Sequence, residues 1–161
     1  MIKTNQNKPQ GFTLIELLIV ISIIAVLAIV VFVALNPAQR LKDTRDAKRV
    51  SDVNSILTAI HASIVDSKGT LPTGLSAGMA ETQLGTGPTG CAIGTGGCSV
   101  TPTPCVDLAT PLAKYLKSIP IDPSTTYSAA KTGYSVVVDA NGIVTVKACG
   151  TEGTTNISAS R

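Results

Sequence analysis

Lys8-Pro9-Gln10-Gly11-Phe12-Thr13-Leu14-Ile15-Glu16 opens onto the apolar run Leu17–Leu35, and this junction decides how the chain is organised. No charged residue stands between Leu17 and Gln39, and Ser22 is the only hydroxyl in Leu17–Leu35. About 19 apolar residues, at roughly 1.5 Å each, can cross a hydrocarbon core of roughly 30 Å as a helix. Glu16 stands at the lip of that helix, where an ionisable group is costly and normally has a partner. Thr13 and Glu16 also have the spacing of a capping box, so they are expected to start the helix. A plain secretory signal fits less well. The run exceeds the usual ~7–15 residues, and no small-residue cleavage site follows it. The next residues are Leu35-Asn36-Pro37-Ala38-Gln39.

Gly11-Phe12-Thr13-Leu14-Ile15-Glu16-Leu17 and the apolar run behind it resemble the N-terminus of type IV pilins and pseudopilins. The resemblance is strong over Gly11–Val65 and weak over the C-terminal half. It implies a leader, Met1–Gly11, cut after Gly11 by a prepilin peptidase. It implies methylation of the Phe12 amine that cleavage exposes. It also implies an assembly role for Glu16, which would pair with the Phe12 amine of a neighbouring subunit. The implied function is that of a structural subunit of a type IV pilus or a related filament, polymerised through its N-terminal helix. A pseudopilin of a type II secretion system is the alternative within the family. The implied partners are other pilin-like subunits in a homopolymer or mixed filament, the prepilin peptidase, the inner-membrane assembly machinery, and the membrane before assembly. The implied location is the cytoplasmic (inner) membrane, crossed once, with an extracytoplasmic C-terminal domain that reaches the cell surface in the filament. A monomeric, single-span membrane-anchored binding domain is the alternative of another class. It leaves the spacing of Gly11, Phe12 and Glu16 unexplained.

The formal charge is +3, and the 13 basic side chains include Lys3 and Lys8 of the expected leader. Without those two, 11 basic side chains face 10 acidic ones, so charge gives no argument for nucleic acid as a partner. Arg40, Lys42, Arg45, Lys48 and Arg49 form a local basic cluster interleaved with Asp43 and Asp46. That pattern reads as a solvated helix face. By the positive-inside bias, this cluster alone would place the C-terminal part in the cytoplasm. The cysteines argue the other way. Cys91, Cys98, Cys105 and Cys149 lie beyond the apolar run without a Cys-x-x-Cys pair, and the one histidine, His61, is distant in sequence. An even count in a Gly- and Thr-rich region reads as two disulfides in an oxidising compartment. Four cysteines allow three pairings, of which Cys91–Cys98 with Cys105–Cys149 is the one expected here.

Asn36-Pro37 is expected to interrupt the helix, which resumes at Ala38. Leu41, Val50, Val53, Leu57, Ile60 and Ile64 supply an apolar stripe, and Lys68-Gly69 a C-terminal stop. Gly69–Pro104 reads as a long loop with one helical turn near Ala77–Gln83, and Asp107–Lys117 as a short helix. Leu116–Pro123 resembles a stretch ahead of the sheet in many pilins and major pseudopilins. Strands are expected at Thr125–Ala129, Tyr134–Val138 and Ile143–Ala148, the last two joined around Asn141-Gly142. Thr151–Arg161 reads as a polar, frayed tail. The fold class is therefore α+β. A long N-terminal helix, with a membrane-spanning half (12–35) and an amphipathic half (36–69), packs on a small antiparallel sheet. That sheet lies in a C-terminal domain (70–161) with a long disulfide-stapled loop at 70–105.

The chain offers no phosphate-binding glycine loop and no cysteine–histidine constellation, so no enzyme activity, no catalytic residue and no cofactor is expected. Asp107, Asp122, Asp139 and Glu152 do not reproduce a recognisable calcium-ligand spacing, and no metal is expected. His61, on a helix with no acidic or cysteine cluster beside it, reads as structural.

Overall fold

The computed structural model describes residues 11–101, 104–153 and 156–161. The expected leader, apart from Gly11, lies outside the described residues. The chain divides into two compact units, Met1–Arg40 and Leu41–Arg161.

In the first unit, helix α1 runs from Leu14 to Leu35, and none of its residues is buried. Its 22 residues span about 33 Å at the helical rise. Because it is apolar on every side, its surface suits hydrocarbon rather than a one-sided protein core. The helix ends at Asn36, whose left-handed backbone (φ 40°, ψ 69°) closes it. Helix α2 then runs from Pro37 to Asp66. The break falls where Asn36-Pro37 predicts it, but α2 restarts on the proline itself. A first helical position needs no amide hydrogen, so proline is tolerated there.

In the second unit, α2 buries Val53, Ile56, Leu57 and Ile60. The expected stripe holds from Val53 onward, while Leu41 and Val50 are exposed. The helix stops as predicted: the Gly69 amide bonds back to the Ile64 carbonyl at 2.8 Å, and Lys68 and Gly69 both take positive φ. Opposite α2 stands an antiparallel sheet of four strands in sequential order: β1 (Thr82–Gln83), β2 (Tyr134–Val138), β3 (Val144–Ala148) and β4 (Ile157–Ser160). Tyr134 pairs with Ala148, Val136 with Val146 and Val138 with Val144. These six side chains face one way and are fully buried with the α2 residues, Leu84, Leu108 and Leu112. Period-two alternation thus gives the sheet its apolar face. The β2–β3 turn is closed by Asp139, whose Oδ1 accepts from the amides of Asn141 and Ile143, both at 2.8 Å.

Several expectations are corrected. Thr125–Ala129 is not a strand. The chain reverses there through paired bonds between Ser128 and Lys131, which leaves no length for one. Its place beside β2 is taken by β1, where a helical turn was expected. The tail is not frayed: Ile157, its one large apolar residue, is buried opposite Ala148, and Arg161 exchanges two bonds with Val144. Asp107–Lys117 forms separate turns around buried Leu108 and Leu112, with Pro111 lacking an amide to continue a helix.

The disulfides are Cys91–Cys105 and Cys98–Cys149, each with Cα atoms 5.4 Å apart, and the expected pairing is overturned. The reason lies in the loop. The Cys105 amide bonds to the Gly87 carbonyl, which brings Cys105 back beside Cys91. Ile93 and Val100 bridge to each other, and Cys98 then lies against Ser135 of β2, near the end of β3. Glu81 fastens the same face, accepting from Ser135 Oγ at 2.6 Å and Lys147 Nζ at 2.9 Å.

The basic cluster on α2 is a solvated face only in part: Arg40, Lys42 and Lys48 are exposed, but Arg49 and Asp46 are buried. The Arg49 and Asp122 side chains have no exposed surface, and Asp46 keeps 7 %. Arg49 donates through Nε and Nη2 to the two oxygens of Asp122, at 2.6 and 2.8 Å, and through Nη1 to Asp46 at 2.7 Å. Asp46 also accepts the backbone amide of Gly153 at 2.7 Å, and Arg45 pairs with Glu152.

Arg49→Ala leaves two buried carboxylates without their cation. It is expected to destabilise the C-terminal unit by about 3–5 kcal/mol, read by denaturant unfolding. Acid should act in the same direction. Arg45 holds Glu152 below the ordinary glutamate value of 4.5. For Glu81, burial pushes upward, but the bonds from Lys147 and Ser135 outweigh it and the net shift is downward. A folded-state value below the unfolded one gives stability that is complete above the unfolded value and lost as pH falls through the folded one. The melting temperature should therefore hold above pH 4.5 and drop below it.

Candidate functional site

The residues singled out at the N-terminal junction sit together at the start of α1. Thr13 has extended backbone and caps the helix. Its Oγ accepts from the Glu16 amide at 3.3 Å. Its own amide and hydroxyl both donate to Glu16 Oε2, at 2.8 and 2.7 Å. The predicted capping box is therefore formed, with two free helix-end donors satisfied reciprocally. These bonds all use Oε2, which leaves Glu16 Oε1 without a hydrogen bond among the described residues.

Phe12 precedes the cap and is 83 % exposed, so none of the described residues encloses the ring. It lines a hollow of about 350 Å³ with Glu16, Leu17 and Val20. The ring and the carboxylate are thus neighbours on one side of the helix start. At Gly11, a Cβ would meet nothing within 4 Å among the described residues. No described neighbour requires glycine there.

The other candidate residues lie elsewhere. The four cysteines are all paired, in the C-terminal unit. Of the four carboxylates considered for calcium, Asp122 and Glu152 meet around Arg49, Asp139 closes a turn, and Asp107 caps the Ala109 amide. Among the described residues no group of three or more histidine, cysteine or acidic side chains is arranged to hold a metal. His61 points its Nε2 into the protein without a partner among the described residues.

Residues 6–32 match the family described as the prokaryotic N-terminal methylation motif. The chain carries a prepilin-type N-terminus. No curated protein and no solved structure matches it. The match covers the junction and most of α1, the part of the molecule with no buried residue. A prepilin-type N-terminus supports a pilin-like or pseudopilin subunit processed by a prepilin peptidase. With the apolar helix α1, it fits an inner-membrane-anchored subunit that assembles into a filament.

The Arg49–Asp122 pair and the Tyr127–Lys131 cleft described below were not foreseen. A cue for the first was present: Asp122 stands between two prolines, Ile121 aside, in a stretch with no other carboxylate.

Thr13→Ala removes the hydroxyl that donates to Glu16 Oε2 and accepts the Glu16 amide, leaving only the backbone amide of residue 13 on Oε2, at a cost of about 1 kcal/mol. Amide exchange at Glu16 in the detergent-solubilised chain should quicken roughly fivefold, while Thr13→Ser should leave it unchanged.

Proposed function

We propose that the chain is a structural, non-catalytic subunit of a type IV pilus or related filament, polymerised through α1. The observation that carries this reading is the prepilin-type match on a helix whose every residue is exposed. Such a surface has two places to go: the bilayer before assembly, and the packed helices of a filament afterwards. In the filament, burial of apolar surface relative to water contributes roughly 25 cal/mol per Å². Head-to-tail contacts that do not close give a helical fibre.

The junction residues take distinct parts in this scheme. A prepilin peptidase cuts between Gly11 and Phe12, and the open surroundings of Gly11 leave the bond accessible. Cleavage converts the Phe12 nitrogen from a neutral amide into an amine, which is then methylated and carries charge. Glu16 of a neighbouring subunit receives that amine, using the oxygen that the capping box leaves free. A buried pair of this kind is better understood as selecting register than as adding net stability. The C-terminal unit, held by two disulfides, takes the extracytoplasmic side and then the filament surface.

A secretion pseudopilin is the second reading, favoured by the Ile119-Pro120-Ile121-Asp122-Pro123 stretch that Arg49 engages. Antibody imaging of whole cells separates the two: long surface filaments carrying the chain support the pilus.

Mass spectrometry of the chain recovered from its native membrane should show a mature start at N-methylated Phe12. Recovery of the chain with Met1–Gly11 attached would refute the reading in favour of a monomeric anchored domain. Glu16→Ala should insert normally, because it removes a charge from the bilayer edge, and should yield far fewer filaments. An unchanged yield would leave Glu16 with its capping role alone.

A further inference from the structure

The disulfide loop and the turn before β2 enclose a cleft of about 420 Å³ that nothing in the proposed assembly uses. Its size falls within the roughly 300–1,000 Å³ usual for small-ligand sites. The walls are fixed before any ligand arrives. The Cys91–Cys105 disulfide closes the loop on itself. Backbone bonds from Thr86 to Ala129 and from Gly87 to Ala130, at 3.1 and 2.9 Å, fasten the loop to the turn.

Three features of the lining define what the cleft can hold. The first is the Tyr127 ring. It packs so closely on Gly133 and Gly150 that a Cβ on either would stand 2.8 or 3.0 Å from a ring atom. Only glycines allow that approach, and they hold a flat aromatic surface in one orientation. The second is Lys131. Its ammonium has no ion-pair or hydrogen-bond partner among the described residues, and it lies 3.0 Å from where a Gly90 Cβ would be. It is the only charged side chain lining the cleft among the described residues, and no carboxylate is there to neutralise it. The third is the hydroxyls of Thr95 and Thr126. Thr95 Oγ donates to the Cys149 carbonyl at 2.8 Å and is hydrogen-bonded to the Tyr127 side chain, so it positions the tyrosine and leaves Thr126 as the unengaged hydroxyl among the described residues of the lining. Gln83 contributes wall rather than recognition. Its amide, correctly oriented, donates to the Cys91 carbonyl and accepts from the Gly133 amide.

We propose that this cleft binds an acidic sugar, a pyranose ring bearing one carboxylate. A fixed tyrosine face offers apolar contact to the C–H face of such a ring, with a polar tip for its hydroxyls. The Thr126 hydroxyl can both donate and accept, which matches the alternating donors and acceptors of a sugar edge. A single ammonium with no competing anion fits a group of one negative charge, since its charge-assisted bond then leaves no residual charge in the cleft. A doubly charged phosphate would leave one. The inference stands on the C-terminal unit alone and does not depend on filament assembly.

The test is ligand-detected NMR titration of the full chain in a sugar-free detergent, with glucuronate, glucose and glucose phosphate as probes. Glucuronate should bind, and glucose roughly tenfold more weakly, as expected for loss of one charge-assisted bond. Lys131→Gln should weaken glucuronate by a similar factor while leaving the melting temperature unchanged, because Lys131 is exposed. Lys131→Arg should retain most of the binding. Absence of glucuronate binding, equal binding of glucose, or unaltered binding by Lys131→Gln would each overturn the proposal. Tighter binding of glucose phosphate would overturn the carboxylate assignment.

Discussion

Arg49 carries a permanent charge into a site with no solvent contact, and the C-terminal unit is arranged around the need to neutralise it. Taking such a group out of water costs several kcal/mol unless geometry and hydrogen bonding offset it. Asp122 meets two of its nitrogens in parallel, and Asp46 meets the third from one helical turn away. Asp46 in turn holds the amides of Glu152 and Gly153. One guanidinium therefore joins helix α2, the stretch before β2 and the chain leaving β3. Gly150 belongs to the same arrangement, since a Cβ there would stand 2.7 Å from an Asp122 oxygen. A bidentate, planar contact of this kind admits one geometry, and lysine could not reproduce it. Its value lies in fixing how the helix sits on the sheet more than in net stability.

The two units solve opposite solvation problems. Helix α1 exposes Leu, Ile, Val and Phe on all sides and satisfies its backbone internally, which is what a hydrocarbon environment demands. The C-terminal unit has few aromatic residues, and its sheet is short. Beyond the apolar layer between α2 and β2–β3, it relies on covalent and ionic ties. The disulfides hold the outer loop, with Cys98 lying over Ser135, while Glu81 links Ser99, Ser135 and Lys147. A small domain that cannot enlarge its core commonly uses such staples.

In the proposed assembly, the N-terminal junction combines two roles in one short motif. As a capping box, Thr13 and Glu16 satisfy donors that the first helical turn would otherwise leave open. Only one carboxylate oxygen is consumed in doing so. The other, beside an exposed Phe12, stays available to a second molecule. In the proposed assembly, local helix chemistry and recognition of a neighbour's Phe12 amine would share Glu16 without competing for the same atom.

The sequence alone determined whatever depends on near neighbours. The apolar length of Leu17–Leu35, the Thr13–Glu16 box, the break at Asn36-Pro37, the stop at Lys68-Gly69 and the hairpin around Asn141-Gly142 are all local, and each stands where its residues place it. The alternation in Tyr134–Val138 and Val144–Ala148 is local too. Tertiary structure decided the rest. Which cysteines meet depended on a loop that doubles back at Gly87 and lays Cys98 on β2, and spacing carries no record of that path. Arg49 reads as one more charge in a solvated run until Asp122, 73 residues away, is brought to it. The tail becomes a strand only because β3 offers it an edge and a hollow for Ile157. Contacts between distant residues are set by the packing of the whole unit, and no short window of sequence contains them.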